Sequence, residues 1–373
     1  MKILIVIDSL GSGGAQRVQI SLALALINKG HVVEFFTYKK EDFFKHVLRA
    51  NNIKIFSTEK IVKGFSIATL KRLRSVIVTN NYDGVISSLH APSVYAALAM
   101  AGVKKGKLIV CEESSSNAPV NPIRKFLFYL ASLSSDAVVT KTFDEAELLR
   151  RWPGLSHKIQ PIWNGFKIHP FHNNQYTIND NRFLKLLVVG RIAYPKNGVN
   201  LLKALLLFHD RNGWSPQVDW AGRRDDDKRS IEMQRQMDKF LLDYPKISSN
   251  WKWLGEVRDV EKLYRESDAL ILVSIYEALP AVIMEAMIEG CFVIASDICD
   301  NSLVIGNEER GFLCKPLSPE SICEAIERLN DLNLEGRTKV IQNAREFAEL
   351  YFNDDTMAIG YESLLNKDDK SNK

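Results

Sequence analysis

The sequence has few cysteines and no long hydrophobic run. Its five cysteines, in 373 residues, are odd in number and show no CxxC spacing, so they indicate neither a disulfide framework nor a zinc site. The apolar run after Lys2 spans only about five residues, ends at Asp8 and precedes no small-residue cleavage site, so we expect a buried strand there and not a signal peptide. No stretch approaches the roughly 20 apolar residues that cross a membrane. These absences fit a protein of the reducing cytoplasm.

Charge is unevenly distributed along the chain. Residues 1–180 contain 23 Lys and Arg against 13 Asp and Glu, a net charge of +10, whereas the remaining residues contain 26 against 32, a net charge of −6. No recognised nucleic-acid-binding motif accompanies the basic half, so we expect no nucleic-acid partner. An anionic membrane surface or a phosphate-bearing acceptor is the partner that the basic half favours.

Short β-rich runs alternate with amphipathic helical stretches in both halves, which is typical of doubly wound parallel α/β domains. In the first half we predict strands at Ile3–Ile7, Val32–Thr37, Val85–Ser88, Leu108–Cys111 and Ala137–Thr140. After a polar stretch at 173–181 the scheme restarts, with strands at Leu184–Val189, Val218–Ala221, Trp251–Leu254, Ala269–Val273 and Phe292–Ala295. We expect one domain over residues 1–168, a second over 182–350, and a helix near 354–366 that can pack back on the first. Loops after the strands of both sheets should then line a cleft.

The second half carries two cations and two carboxylates after its first and fourth predicted strands. Arg191 and Lys196 lie in a loop that leads into a helix, and two cations beside a helix N-terminus form a suitable diphosphate site. Glu277 lies in the other loop, and Glu285 follows on a helix whose first turn suits Pro280. Neither spacing is strong evidence alone: the cations could belong to a solvated loop, and about one and a half Glu-x7-Glu pairs are expected by chance among 23 glutamates.

Taken in order, the motifs resemble those of the retaining glycosyltransferases of family 4, which have the GT-B fold. The chain has GSGGAQRV at 11–18, Asn164-Gly165, Gly190-Arg191 followed by Lys196, and YEALPAVIMEAM at 276–287. LGEVRDVEKLYRESDALILVS at 254–274 is also typical of the family. The resemblance covers nearly the whole chain and is densest from 184 to 316. It implies two Rossmann-like domains facing across a cleft, the first for an acceptor and the second for a nucleotide sugar.

The resemblance also implies which residues bind the donor. Glu277 would hydrogen-bond the sugar and Glu285 the ribose. The diphosphate would be held by cationic side chains and by the backbone of a helix start, that is, by Arg191, Lys196, Leu279, Pro280 and Ala281. The base would be contacted largely through backbone, by Trp253 and Leu254. The family usually has Glu-Gly-x-Pro where this chain has Ala278 in the second place. Because alanine lacks the access of glycine to positive φ, the sugar-facing turn and the donor sugar can differ from the family's habit.

The glycine-rich loop of the first half has a rival interpretation. Gly13 and Gly14 precede a helix and allow close approach of a ligand, as dinucleotide-binding loops do. However, Gln16 occupies the position of the third glycine, and Glu34 lies in mid-strand and not at the strand end where a ribose-binding acid belongs. The resemblance instead places Gly13 and Gly14 among the donor-binding residues, as a neutral wall beside the donor phosphates and the acceptor.

Glu277 is the candidate catalytic residue of the second half, and two strand ends of the first half carry the others. His90 follows Val85–Ser88, and Glu112 follows Leu108–Cys111. Many relatives have a histidine in the loop of Glu112, near the reacting centre, and a glutamate occurs in relatives that act on lipid-linked glycans. Glu112 could deprotonate the acceptor or support the cleft, and His90 could have a catalytic task or only begin a helix.

The stretch 121–135 (NPIRKFLFYLASLSS) mixes Arg124 and Lys125 with aromatic residues. A basic, aromatic amphipathic helix can lie in a membrane interface, and a core-packed helix with a charged start is the alternative. RRDDDKR at 223–229 resembles an Asp-x-Asp metal motif, but it is hydrophilic throughout and better interpreted as a loop and helix cap.

These observations and the resemblance predict an enzyme that moves a hexose or N-acetylhexosamine, with retention, from a nucleotide diphosphate. UDP is the expected nucleotide, and a lipid-linked glycan of a surface polysaccharide such as lipopolysaccharide is the expected acceptor. We expect no cofactor and no essential metal, and a cytoplasmic protein that can associate with the inner face of the membrane. A nucleotide-sugar epimerase of the same fold and a non-catalytic nucleotide-sugar-binding protein are the alternatives.

Overall fold

The computed structural model describes residues 1–58, 64–113, 121–168 and 184–366. The chain divides into two compact units, the first comprising Met1–Lys167 with Tyr351–Lys373 and the second Ile168–Leu350. Each unit is a parallel sheet whose strands alternate with helices, so the predicted doubly wound α/β class is confirmed. The polar stretch at 173–181, which the sequence places between the two domains, lies outside the described residues.

Unit 1 has a sheet of seven parallel strands within the described residues, in the order β3-β2-β1-β4-β5-β6-β7. Its strands are β1 Lys2–Val6, β2 Val32–Thr37, β3 Ile55–Ser57, β4 Gly84–Ser88, β5 Lys107–Cys111, β6 Ala137–Thr140 and β7 Ile159–Pro161. Its helices are α1 Gly14–Asn28, α2 Lys45–Ala50, α3 Ile67–Asn80, α4 His90–Met100, α5 Pro122–Leu133 and α6 Phe143–Arg150. The central strands are buried on both faces, which is why they appear in the sequence as continuous apolar runs.

Unit 2 has six parallel strands in the described part of the chain, in the order β10-β9-β8-β11-β12-β13. They are β8 Lys185–Val189, β9 Gln217–Ala221, β10 Trp251–Gly255, β11 Ala269–Leu272, β12 Phe292–Ser296 and β13 Phe312–Cys314. The helices are α7 Gly198–Asn212, α8 Lys228–Asp243, α9 Pro245–Ser248, α10 Val260–Arg265, α11 Ala281–Ile288, α12 Asn301–Ile305, α13 Pro319–Asp331 and α14 Leu334–Tyr351. Trp220 and Phe208 are fully buried between sheet and helices.

The side on which successive strands are added changes once in each sheet, at β1 in unit 1 and at β8 in unit 2, and these switch points fix where ligands can bind. In unit 1, β1 pairs with β2 on one side and β4 on the other; in unit 2, β8 pairs with β9 and β11. Loops leave such a pair of strands in opposite directions and open a crevice at the carboxyl ends. The loops after β1 and β4, and those after β8 and β11, are therefore where the sites should lie.

The last helix, α15 Asp354–Asn366, belongs to unit 1 and packs against α1. Phe166 forms a parallel bridge with Asn353, and a Cβ at Gly165 would lie 2.3 Å from the Asn353 carbonyl oxygen, so only glycine fits there. A Cβ at Gly84 would likewise lie 2.4 Å from Leu365. These close approaches seat the C-terminal helix on the sheet of unit 1.

Helix starts coincide with short polar side chains that accept backbone hydrogen bonds. Ser66, Asn121 and Thr142 cap α3, α5 and α6. Asp227 caps α8 by accepting from the amides of Arg229 and Ser230, which confirms the loop-and-cap interpretation of RRDDDKR.

Candidate functional site

The loop after β8 carries the two predicted diphosphate cations. Gly190 has a φ of +142°, and a Cβ there would lie 2.9 Å from Cε of Lys196, so glycine lets the lysine side chain cross the strand end. Lys196 ends the 3-10 turn Tyr194–Lys196 directly before α7 and is mostly buried. The Arg191 side chain is 58% exposed, and its guanidinium lies 2.5 Å from the carboxylate of Asp225. One cation is therefore held inside the crevice and the other stands at its rim.

The loop after β11 brings Glu277 to the same strand end. Nζ of Lys196 donates to Oε1 of Glu277 at 2.5 Å, and the hydroxyl of Ser274 donates to the same oxygen at 2.8 Å. Two of the four residues singled out in the second half of the sequence are thus in direct contact across the switch between β8 and β11. Both contacts use Oε1, so Oε2 has no partner among the described residues and can accept from a ligand.

Asn197 fixes the start of α7, and the sequence analysis did not identify it. It adopts left-handed backbone angles and is buried. Its side-chain amide donates to the carbonyls of Val273 at 3.0 Å and Pro316 at 2.6 Å, which follow β11 and β13. One asparagine therefore ties the cation loop to two other strand ends, and its αL preference is the signal that could have found it.

The start of α11 is the other backbone element beside Glu277. Pro280 is the N-cap and the helix begins at Ala281, so the proline lies just before the first turn and has no N–H to donate. Leu279 is buried, and no side chain caps the helix. The thiol of Cys299 donates to the carbonyl of Ala278 at 3.1 Å, and burial raises the pKa of this thiol to about 12. The turn before α11 is thus held by a protonated thiol, and the first amides of α11 can meet an anion.

Glu285 lies within α11 and is buried, with 7% of its surface exposed. Its Oε2 accepts from the hydroxyl of Tyr264, on α10, at 2.9 Å. The structure thus places Glu285 on a different element from the cations and gives it a tyrosine partner that its spacing from Glu277 did not reveal.

Trp253 and Leu254 lie at the carboxyl end of β10. The ring of Trp253 packs against Trp220 at 5.6 Å between ring centroids, and the guanidinium of Arg224 lies 5.4 Å from its centroid. The register of β10 shifts between Trp253 and Gly255, so Leu254 lies at an irregularity of the strand. This irregular end leaves backbone groups of Leu254 outside the regular ladder.

The glycine-rich loop of unit 1 is shaped partly by its own side chains. A Cβ at Gly13 would lie 2.3 Å from Oε1 of Gln16, whose amide group donates to Asp8 at 3.2 Å. Gly14 begins α1, and its missing side chain borders open space. The missing side chain of Gly13 thus makes room for Gln16, whereas the missing side chain of Gly14 leaves room for a ligand. Glu34, the other residue considered for dinucleotide binding, accepts a hydrogen bond from the hydroxyl of buried Tyr82 within the sheet.

His90 and Glu112 are brought together in unit 1. Nε2 of His90 lies 2.7 Å from Oε2 of Glu112, and both side chains are largely buried. Leu89, with a φ of +78°, directs the chain from β4 into α4 so that His90 is the first residue of the helix. The ring of His90 also packs on Phe128 of α5, with ring centroids 4.5 Å apart. The two candidate catalytic residues of unit 1 therefore form one pair.

A buried charged network lies next to this pair, and most of its contacts could not be predicted from the sequence. Lys141, 2% exposed, lies 3.7 Å from Glu113 and donates to the hydroxyl of Tyr361 in α15 at 3.0 Å. Glu113 also accepts from Ser88 at 2.7 Å and from Gln19 at 3.3 Å. Burial raises the pKa of Tyr361 well above its usual value. The network joins the ends of β4, β5 and β6 to the C-terminal helix.

Within the ranges that the structure describes, His, Cys, Asp and Glu side chains form no group of three or more that could hold a metal ion. In the same ranges, none of the helices is long and apolar enough to cross a membrane.

Two family models match the chain in succession. Residues 12–169 match "Glycosyltransferase Family 4" and residues 171–347 match "Glycosyl transferases group 1". The chain belongs to the family 4 glycosyltransferases. This confirms the family that the motifs predict, and the two matched regions correspond to the two α/β units.

Relatives and solved structures agree with this family. The glycosyltransferase is 27% identical over 361 residues (93% of each chain) to the "GalNAc-alpha-(1->4)-GalNAc-alpha-(1->3)-diNAcBac-PP-undecaprenol alpha-1,4-N-acetyl-D-galactosaminyltransferase" of Campylobacter jejuni. It is 25% identical over 304 residues to the amylovoran biosynthesis glycosyltransferase AmsD of Erwinia amylovora, covering 79% of this chain and 81% of that one. Its fold is similar to that of Anabaena HepE, solved in complex with UDP and glucose, with a TM-score of 0.80, 19% identity and coverage of 98% and 99% of the two chains.

Proposed function

We propose that the protein transfers a hexose or an N-acetylhexosamine from a UDP-sugar to a lipid-linked glycan, with retention, in the biosynthesis of a surface polysaccharide. The observation that carries the proposal is the Lys196–Glu277 pair at the strand ends of β8 and β11, beside exposed Arg191. The UDP bound by HepE and the undecaprenol-linked acceptor named for the C. jejuni relative support the choice of donor and acceptor.

The donor diphosphate is bound by the two cations of the β8 loop and by the first amides of α11. In the free protein, Lys196 is neutralised by Glu277 and Arg191 by Asp225. A diphosphate competes with these carboxylates for the cations, and Oε2 of Glu277 accepts from a sugar hydroxyl. Glu285 hydrogen-bonds the ribose, and the backbone at Trp253 and Leu254 contacts the base. Unit 2 thus supplies these donor contacts, and Gly13 and Gly14 of unit 1 lie beside the donor phosphates.

The chemical step exchanges one bond at the anomeric carbon. The bond from this carbon to the β-phosphate oxygen breaks, and the acceptor hydroxyl oxygen bonds to the carbon on the same face. The hydroxyl proton passes to the departing phosphate oxygen. Negative charge grows on that phosphate in the transition state, and Arg191, Lys196 and the α11 amides stabilise it.

The acceptor is bound by unit 1, beside Gly14 and the His90–Glu112 pair. Because His90 lies 2.7 Å from Glu112, the imidazole orients the carboxylate, and Glu112 hydrogen-bonds the acceptor hydroxyl. Glu112 is thus assigned to the acceptor, whereas Lys196 and Arg191 are assigned to the donor.

We assign the reaction no cofactor and no essential metal, because two cations and a helix start supply the positive charge that a leaving diphosphate needs. Turnover should then be unchanged by EDTA, and a loss of turnover that Mg²⁺ or Mn²⁺ restores would contradict this assignment.

Transfer is tested with purified protein, a panel of UDP-sugars and an undecaprenyl-diphosphate-linked glycan. We expect UDP release that needs both substrates, and a product whose anomeric proton coupling in the NMR spectrum matches that of the donor. Arg191→Ala and Lys196→Ala should each lower kcat by on the order of 10²–10³. Lys203→Ala is the matched control, because Lys203 is an exposed lysine of α7 outside the assigned donor contacts.

Two outcomes would replace the proposal. An isomerised sugar from donor alone would indicate an epimerase, and UDP-sugar binding without transfer to any acceptor would indicate a non-catalytic binding protein. Full turnover by both Arg191→Ala and Lys196→Ala at saturating donor would overturn the assignment of the diphosphate site.

A further inference from the structure

Helix α5 turns an apolar stripe away from the protein. Ile123, Phe126, Leu127 and Leu130 lie at i, i+3, i+4 and i+7, which is the spacing of one helix face, and each is between 40% and 68% exposed. We call these four residues the α5 stripe. A stripe with this spacing usually packs into a core, whereas in α5 it is exposed.

The other face of α5 packs into unit 1. Phe128 and Ala131 are buried, and Phe128 contacts His90 as described above. The helix is therefore anchored without the α5 stripe. Exposed side chains of this size normally occur singly, and a contiguous set marks a surface that binds something.

The surroundings of the α5 stripe are basic and aromatic. Arg124 and Lys125 are exposed on the same two turns, and residues 114–135 contain no Asp or Glu. A groove of about 410 Å³ runs beside the helix. It is lined by Pro122, Lys125, Phe126, Tyr129, Trp152 and Pro153. The Lys125 ammonium lies 5.4 Å from the centroid of the Trp152 ring.

We propose that the α5 stripe docks the protein on an anionic phospholipid bilayer, with α5 lying in the plane of the interface. Apolar side chains enter the boundary of the acyl chains, and Arg124 and Lys125 meet lipid phosphates. The twelve residues of α5 span roughly 18 Å at 1.5 Å each, which suits a helix that lies on a bilayer. Charge complementarity favours this occupant over an apolar protein surface, which offers nothing to the two cations.

The docking surface is connected to the acceptor side of the site through one helix. Phe128 on the inner face of α5 packs against the His90 ring, so the helix that meets lipid also supports the His90–Glu112 pair. This deepens the proposed function and rests on it in one respect: an acceptor with a lipid anchor would reach His90 and Glu112 from the bilayer to which α5 is docked.

Vesicle co-sedimentation of the full chain tests the docking without donor, acceptor or turnover, so its failure is separate from a failure of the proposed function. We expect binding to vesicles of phosphatidylglycerol and phosphatidylcholine in equal parts, and weak binding to phosphatidylcholine alone. Phe126→Ser/Leu127→Ser should lower the partition coefficient at least about tenfold. Arg124→Gln/Lys125→Gln should lower it by about tenfold, and raised salt should weaken the wild type similarly.

Matched changes on α8 of unit 2 control for general effects. Leu242→Ser removes an apolar side chain that is 81% exposed, and Arg235→Gln/Lys239→Gln removes two exposed cations. Each should leave binding within about twofold of the wild type. Absence of binding to anionic vesicles, or equal loss in the α8 and α5 variants, overturns the proposal. So does a wild-type dimer that Phe126→Ser/Leu127→Ser converts to a monomer, because the α5 stripe would then bind a second copy.

Discussion

Both units carry charged residues at the carboxyl ends of their strands, but the two sets of residues differ in how deeply they are buried. At the strand ends of unit 2, Arg191 is 58% exposed and its partner Asp225 lies on a neighbouring loop. At the strand ends of unit 1, Lys141 and Glu113 are almost fully buried and held by hydrogen bonds from three elements. An exposed ion pair costs little to exchange for a ligand, whereas opening a pair as deeply buried as Lys141 and Glu113 leaves a charge desolvated and without its partner. This difference fits the proposal that unit 2 binds the anion, and it gives the buried pair of unit 1 a structural role.

The largest effect that this comparison predicts is on the stability of unit 1. Lys141→Met leaves the Glu113 carboxylate buried without its cation, so the free energy of unfolding should fall by about 3–5 kcal/mol. Urea denaturation measures it. Lys141→Met/Glu113→Gln removes both charges and should recover much of the loss. A single variant as stable as the wild type would show that the buried network does not hold unit 1 together.

The next effect separates the acceptor from the donor. Glu112→Ala removes a charged hydrogen-bonding group from the acceptor side, so kcat/KM for the acceptor should fall on the order of 10- to 100-fold. The dissociation constant of UDP, measured by calorimetry, should be unchanged. Weaker UDP binding by this variant would instead give Glu112 a part in the donor site.

A smaller effect concerns a helix start in unit 2. Asp227→Ala removes the cap of α8 and should cost about 1 kcal/mol in the free energy of unfolding. The Ser230 hydroxyl, with the amides of Ser230 and Arg229, holds the pKa of Asp227 below its usual value. The stabilisation is therefore complete above about pH 4 and is lost as the pH falls through the lowered pKa. Thermal melts of wild type and variant should converge in that acid range, and a constant difference would refute the cap's ionic character.

The smallest effect is expected at the exposed pair. Asp225→Asn should change the free energy of unfolding by no more than about 1 kcal/mol, because surface ion pairs contribute little. Urea denaturation of Asp225→Asn and of Lys141→Met under the same conditions compares the two losses in the free energy of unfolding directly. If both variants lost the same stability, the distinction between an exchangeable pair and a structural one would disappear.

The sequence predicted the strands well where they are long and buried, because β1, β8 and β12 consist mainly of continuous apolar runs. It did not predict β3, β7 or β13, whose three residues carry no periodicity. Apolar spacing also failed to show which face of α5 is buried, since the α5 stripe has the pattern of a core face and is exposed.

In the candidate site, the cations and carboxylates could be identified from their position after predicted strands. The residues that contact them could not be predicted from the sequence. Ser274 and Asp225 contact Glu277 and Arg191 through the paths of loops, which no local pattern encodes. The contact of Lys141 with Tyr361 joins segments that are distant in the sequence, and it depends on where α15 packs. Gly13 indicated a ligand by its residue type, and nothing in the sequence indicated that its missing side chain also makes room for Gln16.

The central claim is that unit 2 holds a nucleotide diphosphate through Lys196. Isothermal titration calorimetry of UDP with wild type, Lys196→Ala and the control Lys203→Ala tests it most directly. The wild type and the control should bind UDP alike, and Lys196→Ala should bind on the order of 10- to 100-fold more weakly, because a charge-assisted hydrogen bond to phosphate is lost. Equal affinity in all three proteins, or no UDP binding by the wild type, would contradict the account.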